Sequence, residues 1–233
     1  MQNRYLLLWL EAPLQSWGHD SKFGRRDTLN FPTKSGVMGL VCSALGYGGE
    51  QREFLAHFAP LKQTVFSFVK KNHKEEKRDR EPLLCDFHMV GSGYDDKDPW
   101  LTLLIPKTAD GKKAVGGGAK MTYRYYVQDA FFAVILETPA DLVDSIANAL
   151  QAPVWDLFLG RKSCVPTDLI YRGVFDCEEE AVSYTKGIAD DKNLLEDFQV
   201  IDGQHEGEVL TLNDIPMQFG ERKIYRDRRV TVI

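Results

Sequence analysis

The chain has 233 residues, of which 43% are hydrophobic, and it carries a formal net charge of −5 at pH 7. This length and composition allow a substantial core, either in one large domain or in a domain with an appendage. No apolar run approaches ~18 residues, which argues against a membrane span, and the four cysteines form no CxxC pair, which favours reduced thiols in a cytoplasmic protein over a zinc site.

The charge is unevenly distributed along the chain. Residues 173–214 include twelve acidic side chains and two lysines, so the remainder of the chain is net positive. Basic residues are concentrated in 107–124 and in 219–229. A polyanion responds to such local patches rather than to the net charge. Taken alone, each cluster is more typical of a solvated face.

The N-terminal part of the chain predicts a strand followed by a helix. Tyr5–Leu10 is continuously apolar, which is typical of a buried strand. Apolar residues within 37–45 recur with the spacing of one helix face. Thr33 or Ser35 can cap the start of this helix, and the glycines at 46 and 48 can end it.

The order strand, helix, strand occurs a second time further along the chain. Thr138 is expected to cap the second helix, with Pro139 in its first turn and Asp141 at its third position. Residues 154–159 are expected to form the strand that follows. This order predicts an α+β fold of the ferredoxin-like (RRM) type, with an antiparallel sheet and two helices on one face. Further elements are predicted as a short helix at 50–58, strands at 64–69, 100–105 and 130–136, an exposed loop or hairpin tip at 72–81, and strand-like pieces at 209–212 and 229–233.

The chain is expected to have two parts. Residues 1–169 form the first, with an insert at about 70–129 that is too long for a loop and should contain a projecting element. Residues 170–233 are predicted to form a small β-rich C-terminal subdomain.

The run Phe31–Leu40 (FPTKSGVMGL) places Lys34 and two hydroxyl groups at the predicted start of the first helix. Free N–H groups and the partial positive charge at a helix N-terminus suit a phosphate. A Walker A loop is excluded because no glycine cradle precedes Lys34. An ordinary capped helix is the alternative interpretation.

A second basic run is Leu157–Thr167 (LFLGRKSCVPT). Arg161 and Lys162 are adjacent, so on an extended backbone they point to opposite sides. One of them can then face a phosphate while the other packs elsewhere. The alternative is a simple basic turn.

The run Ala114–Tyr126 joins a glycine-rich stretch to a basic, aromatic strand. Interleaved arginine and tyrosine side chains can contact phosphates and stack on bases. A mobile loop that leads into a half-buried strand explains the same pattern.

Candidates for catalysis are few. General-base cleavage of RNA needs a histidine, lysine or tyrosine near a second acid–base group. His88 alternates with Phe87 and Met89 and could face a groove. The motifs GxSxG, HExxH and DxDxDG are absent from the sequence, so no catalytic residue, metal or cofactor is predicted.

A family resemblance rests on four runs that occur in the order in which the family has them: Leu10–Gly18 (LEAPLQSWG), Phe31–Leu40, Asp86–His88 and Leu159–Cys164. Together they resemble the CasD family, the subtype I-E branch of the fifth Cas family within the RAMP superfamily. Met217–Tyr225 (MQFGERKIY) is similar to the closing segment of that family.

The resemblance implies a RAMP domain of ferredoxin-like fold with an inserted thumb hairpin and a smaller C-terminal part. It implies a non-catalytic, crRNA-binding subunit of a type I-E Cascade complex in antiviral defence. Such a subunit caps the 5′ handle of the crRNA, contacts the backbone subunit CasC and the large subunit CasA, and meets target DNA only through the complex. No cofactor and no membrane are implied.

Two other functions stay open. In subtype I-E a separate subunit, CasE, processes the repeat RNA, but in subtype I-C the same family is itself the nuclease, so a metal-independent endoribonuclease is the first alternative. The second is a protein-interaction subunit whose acidic segment 173–214 docks on a basic partner.

The resemblance also implies which residues bind RNA. Some line the loop after the first strand, some the helix start and the basic turn, and others the base of the thumb; Arg25 and Arg26 are inferred from their place between the first two runs. The full set is Gln15, Ser16, Trp17, Gly18, Arg25, Arg26, Thr33, Lys34, Ser35, Gly36, His88, Lys120, Tyr123, Arg124, Arg161, Lys162, Ser163 and Cys164.

Overall fold

The computed structural model describes residues 3–19, 21, 24–90, 107–112 and 120–233. The predicted strand at 100–105 lies outside these residues, as do the glycines 116–118. The strands of the described part are β1 (Arg4–Gln15), β2 (Trp17–Gly18), β3 (Arg25–Arg26), β4 (Thr28–Leu29), β5 (Gln63–Lys70), β6 (Leu84–Val90), β7 (Lys120–Thr138), β8 (Tyr171–Phe175), β9 (Leu194–Asp202), β10 (Glu208–Gln218) and β11 (Ile224–Val232). Its helices are α1 (Lys34–Leu45), α2 (Arg52–Phe58), α3 (Val143–Gln151) and α4 (Glu178–Asp191).

The fold is a mixed α and β structure built on a largely antiparallel sheet. Seven strands run across this sheet in the order β10-β11-β9-β5-β7-β1-β8, and each neighbouring pair is antiparallel. The long strand β7 pairs with β1 and β5 through its C-terminal half and with β6 through its N-terminal half. The N-terminal half of β7 and β6 therefore form a two-stranded extension, called the ribbon below.

Strand β1 is buried on both faces of the sheet. Leu6, Leu8 and Leu10 pack into one hydrophobic cluster with residues of α1, α2 and α3. Leu7 and Trp9 pack into a second cluster, to which α4 contributes Ala181 and Ala189. A strand covered on both faces reads as a continuous apolar run, so the prediction for Tyr5–Leu10 is confirmed.

The predicted start and end of α1 are confirmed. The Thr33 hydroxyl accepts a hydrogen bond from the Gly36 N–H at 3.1 Å, as expected of an N-cap. Gly46 ends the helix with a φ of 72°, in the left-handed region that glycine adopts without strain. The predicted elements at 50–58, 64–69, 130–136, 209–212 and 229–233 match α2, β5, β7, β10 and β11. Residues 72–81 are exposed turns, apart from the half-buried Asn72 and Arg80.

Two predictions around the second helix are wrong. Thr138 ends β7 and its hydroxyl donates to the Leu136 carbonyl at 2.9 Å, and α3 begins only at Val143 after an intervening turn. The expected strand at 154–159 is a loop, because its backbone bonds to the end of α1, with the Val154 N–H donating to the Ala44 carbonyl at 2.9 Å. The strand that follows α3 is β8, which pairs with β1.

The C-terminal region contains a helix that the sequence did not predict. Helix α4 starts with Glu178, Glu179 and Glu180, which favour a helix N-terminus, and buries Ala181 and Ala189. The boundary at residues 169 and 170 stays a prediction. Strands from both sides of it pair in the same sheet, β8 with β1 and β9 with β5.

Candidate nucleic-acid interface

A groove of about 540 Å³ brings together residues of the two runs, 31–40 and 157–167, that the sequence singled out. Its walls come from the segment after β1, one side of α1 with the residues that follow this helix, the segment 156–162 and the tip of the β10–β11 hairpin. Lys162 and Lys223 contribute cations to this groove, and Asp156 contributes a carboxylate. Its remaining lining residues include Ser16, Gly18, Thr33, Ser35, Gly36, Gly39, Tyr47, Phe158, Gly160, Phe219, Gly220 and Tyr225.

The backbone joins the segment after β1 to the basic turn. The Ser16 N–H donates to the Leu159 carbonyl at 3.0 Å, and the Leu159 N–H donates to the Cys164 carbonyl at 2.8 Å. Gly160 has a φ of +102°, and a Cβ at this position would lie 1.8 Å from the Ser16 carbonyl oxygen. Only glycine therefore allows the two segments to approach this closely.

Arg161 and Lys162 diverge, as the sequence predicted. The Arg161 guanidinium donates to the carbonyls of Tyr125 and Arg26, both at 3.1 Å, and lies 4.6 Å from the ring centre of Tyr126. Lys162 is exposed and lines the groove. Arg161 thus fastens the turn to β7 and β3, while Lys162 is available to an anion.

The start of α1 is occupied by groups of the chain itself. The Lys34 N–H donates to the Asp214 carboxylate at 2.7 Å, the Gly36 N–H to the Thr33 hydroxyl, and the Val37 N–H to the Thr33 carbonyl at 3.0 Å. The expectation that these N–H groups are free for a phosphate is wrong. An internal carboxylate already fills the place that an external anion would take.

The side chain of Lys34 lies inside the protein. It is 1% exposed and its ammonium donates to the Leu61 carbonyl. Burial lowers the pKa of Lys34 to about 8, although the negative charge of Asp202 acts in the opposite direction. Arg228 lies in the same cluster and donates to Asp214 at 2.7 and 2.9 Å and also to Asp202. Direct contact between this lysine and a phosphate does not fit its burial.

Several other predicted residues support the groove from beneath. Gln15 is fully buried and donates to the carbonyls of Leu10 and Ala130 at 3.1 and 2.8 Å. Its side-chain oxygen accepts from the Trp17 indole at 3.2 Å, and that indole leaves no room for a Cβ on Gly36. Cys164 is also fully buried, and burial raises the pKa of its thiol. These residues shape the floor, whereas Ser163 is exposed beside the basic turn.

The remaining predicted residues lie on the ribbon or on β3, outside the groove lining. Arg25 and Arg26 pair in parallel register with Tyr123 and Arg124 of β7. His88 contacts the Asp86 carboxylate at 2.6 Å on β6. Lys120 is the first residue of β7, and its side chain lies outside what the structure describes.

One face of the ribbon is apolar and exposed. The rings of Phe87 and Tyr123 lie 5.2 Å apart, and Met89 pairs with Met121 next to them. All four side chains are more than 40% exposed. The opposite face carries the polar side chains His88 and Asp86 beside Leu84.

The tip of the β10–β11 hairpin belongs to the groove although its residues are not among the predicted RNA-binding residues. Phe219, Gly220, Lys223 and Tyr225 line the groove although they lie near the C-terminal end of the sequence. The basic cluster at 219–229 was the signal that pointed to them. Among the described residues there is no group of three or more potential metal ligands, and no described helix is long and apolar enough to cross a membrane.

Comparison with known protein families identifies the family to which this chain belongs. The model of a family described as CRISPR-associated protein (Cas_Cas5) matches residues 5–231. The chain belongs to this Cas5 family. The resemblance drawn from the four sequence runs is therefore confirmed.

Individual relatives agree with the family. The chain is 30% identical over 174 residues to the CRISPR system Cascade subunit CasD of Escherichia coli strain K12, covering 72% of this chain and 70% of the relative. It is similar to a chain in the structure of a CRISPR RNA-guided surveillance complex, with a TM-score of 0.70, 28% identity, and coverage of 98% of this chain and 89% of the other. A crystal structure of a Cas protein has a TM-score of 0.58 and 25% identity, with coverage of 98% and 93%.

Proposed function

We propose that the chain is the non-catalytic crRNA-binding subunit of a type I-E Cascade complex and that its groove holds the 5′ handle of the crRNA. The observation that carries this proposal is the convergence of the runs 31–40 and 157–167 on one groove to which Lys162 contributes a positive charge, in a chain of the Cas5 family. The Escherichia coli relative is named as a Cascade subunit, and the similar solved structure is an RNA-guided complex.

The groove has the chemistry that a single RNA strand requires. Lys162 supplies a positive charge, the hydroxyls of Ser16 and Ser35 can donate to phosphate oxygens, and glycines let the RNA backbone approach closely. Because Asp214 caps α1, we assign the electrostatic attraction to the side chain of Lys162 rather than to the helix N-terminus.

The ribbon is proposed to be the thumb of the subunit. It projects from the sheet as a continuation of β7 and carries Arg124, His88 and exposed aromatic rings. The Arg161 contacts to Tyr125 and Arg26 join its base to the groove. An RNA strand that leaves the groove would thus meet the ribbon next.

The order of the central strands supports a ferredoxin-like RAMP fold. Strands β5, β7, β1 and β8 are neighbours in that order, with α1 in the connection after β1 and α3 in the connection after β7. Both helices pack on the same face of the sheet. This is the arrangement of a split βαβ unit. Within Cascade, in the cytoplasm, we propose that the subunit links the CasC backbone to CasA.

Binding of the 5′ handle tests the proposal. Fluorescence anisotropy should show that the purified chain, with CasC, binds a labelled handle RNA more tightly than a scrambled RNA of equal length. Lys162→Ala should weaken binding about 5-fold. It should also lower the slope of log affinity against log salt concentration by about one, because one phosphate contact is lost. Lys186→Ala, an exposed lysine on α4, is the matched control. Equal affinity for the handle and the scrambled RNA would reject the proposal.

One observation favours a metal-independent endoribonuclease as the alternative. His88 and Asp86 form a contact of 2.6 Å on the exposed ribbon, and a paired histidine can act as a general base. Incubation with repeat RNA in EDTA separates the two functions. A specific cut that His88→Ala abolishes would establish the nuclease, whereas intact RNA after prolonged incubation is the result we expect.

A further inference from the structure

The tip of the β10–β11 hairpin lines the same groove as the basic turn. We propose that this tip, residues 219–225, is a second RNA-contacting wall, in which Lys223 binds a backbone phosphate and the ring of Tyr225 stacks on an unpaired nucleobase. The inference rests on the proposed function and adds to it a contact surface from the C-terminal end of the sequence.

The hairpin is anchored at the start of α1. Asp214 of β10 accepts from the Lys34 N–H at 2.7 Å and from the Arg228 guanidinium of β11. Asp214 is 3% exposed, so this link is shielded from solvent and salt. The two hairpin strands are therefore held against α1, a helix that also lines the groove.

The tip is anchored separately, to the segment between α1 and α2. The Phe219 N–H donates to the Glu50 carbonyl at 3.0 Å. The Gln218 amide donates to the Arg222 carbonyl at 2.7 Å and to the Glu50 carboxylate at 3.3 Å. Gly220 has a φ of +77°, and a Cβ there would lie 3.3 Å from the Gly49 backbone, so the two turns are in close contact. The wall is thus fixed in place before RNA binds.

Two side chains on this wall suit a single RNA strand. Lys223 is exposed and Tyr225 is half-buried, and both line the groove. Arg226, the next residue, turns away and donates to the Ala59 carbonyl at 3.2 Å. A cation beside a flat aromatic ring is the usual combination for unpaired nucleotides, because the base stacks while the phosphate is neutralised. Burial raises the pKa of Tyr225, so its ring stays neutral beside a phosphate.

Three variants and one control test the wall. Binding of the labelled handle RNA by the chain with CasC is measured over a range of salt concentrations. Lys223→Ala should weaken binding about 5-fold and lower the salt slope by about one. Tyr225→Leu should weaken binding about 5-fold or more with the slope unchanged, and Tyr225→Phe should keep the wild-type affinity because the ring remains. Arg229→Ala, an exposed cation on the same strand, is expected to bind within about 2-fold of wild type.

The outcomes separate this wall from the proposed function. If Lys162→Ala weakens binding while Lys223→Ala and Tyr225→Leu bind like wild type, the second wall is wrong and the proposed function stands. If the wild-type chain binds the handle RNA no more tightly than the scrambled RNA, the proposed function itself is wrong. Thermal unfolding midpoints equal to that of wild type show that the variants are folded. Tyr225→Phe binding as weakly as Tyr225→Leu would overturn the stacking role.

Discussion

At the scale of single residues, Lys34 shows how burial changes the role of a side chain. Its position beside Thr33 and Ser35 predicted a phosphate ligand, but its ammonium is buried with Asp202, Asp214 and Arg228. The sequence could not reveal this, because Asp214 lies 180 residues further along the chain. Its ammonium donates to the Leu61 carbonyl inside the protein, and its backbone N–H donates to Asp214 of the C-terminal hairpin.

The buried Lys34 predicts an unusual pH dependence of stability. Its pKa is about 8 in the folded chain and 10.5 for a free lysine. Between these values the unfolded chain binds a proton that the folded chain does not, so raising the pH favours the folded state. From pH 7.5 to pH 10 the free energy of unfolding of wild type should rise by about 2 kcal/mol relative to Lys34→Met. Urea unfolding at both values measures the difference.

An exposed lysine provides the control for this pH effect. The difference in the free energy of unfolding between wild type and Lys186→Met, on the surface of α4, should be the same at pH 7.5 and at pH 10. If the difference in the free energy of unfolding between wild type and Lys34→Met does not change with pH, the Lys34 ammonium is solvated and the prediction is wrong.

At the scale of elements, local signals predicted α1 well and the region after α3 poorly. The Thr33 cap, the apolar spacing and Gly46 are all local, and the helix follows them. Residues 154–159 are as apolar as a strand, yet Val154 and Trp155 are 64% and 49% exposed. Their backbone bonds to the end of α1, a tertiary contact that no local pattern encodes. Helix α4 had a usable signal in its three first-turn glutamates.

The basic turn depends on one glycine. A Cβ at Gly160 would lie 1.8 Å from the Ser16 carbonyl, at a φ that other residues rarely adopt. Gly160→Ala should therefore lower the free energy of unfolding by about 2 kcal/mol or more and weaken binding of the handle RNA, because Lys162 is displaced. Chemical denaturation and anisotropy measure the two effects.

Gly187 is the matched control for this glycine. It lies within α4, and a Cβ there would meet no atom within 4 Å. Gly187→Ala should raise stability by up to about 1 kcal/mol, since alanine is the better helix former, and should leave RNA binding unchanged. If Gly160→Ala behaved in the same way, the close approach of the two segments would be wrong.

At the scale of the whole molecule, the sequence pointed to two of the segments that line the groove and missed the hairpin tip. The runs at 31–40 and 157–167 were recognised as a pair, and the groove joins them. The hairpin tip was not predicted to belong to the groove, because its link to α1 depends on Asp214 and Arg228. In the sequence these two residues look like ordinary surface charges. Long-range pairs of this kind are fixed by the folded topology and not by local propensity.

The negative net charge of the chain is compatible with an RNA-binding groove. Helix α4, which opens with three glutamates, packs on the sheet face opposite α1, α2 and α3. Much of the acidic segment 173–214 is therefore separated from the groove by the sheet. A polyanion approaching the groove meets the local cations of Lys162 and Lys223 first.

Crosslinking tests the central claim, that the groove holds the RNA, most directly. The chain is purified in complex with its partner subunits and crRNA, irradiated with ultraviolet light, and digested for mass spectrometry of RNA-linked peptides. We predict that linked peptides include residues 16–18 and 158–163, the two segments joined at Gly160. RNA-linked peptides confined to α4 or to the ribbon, with none from these two segments, would contradict it.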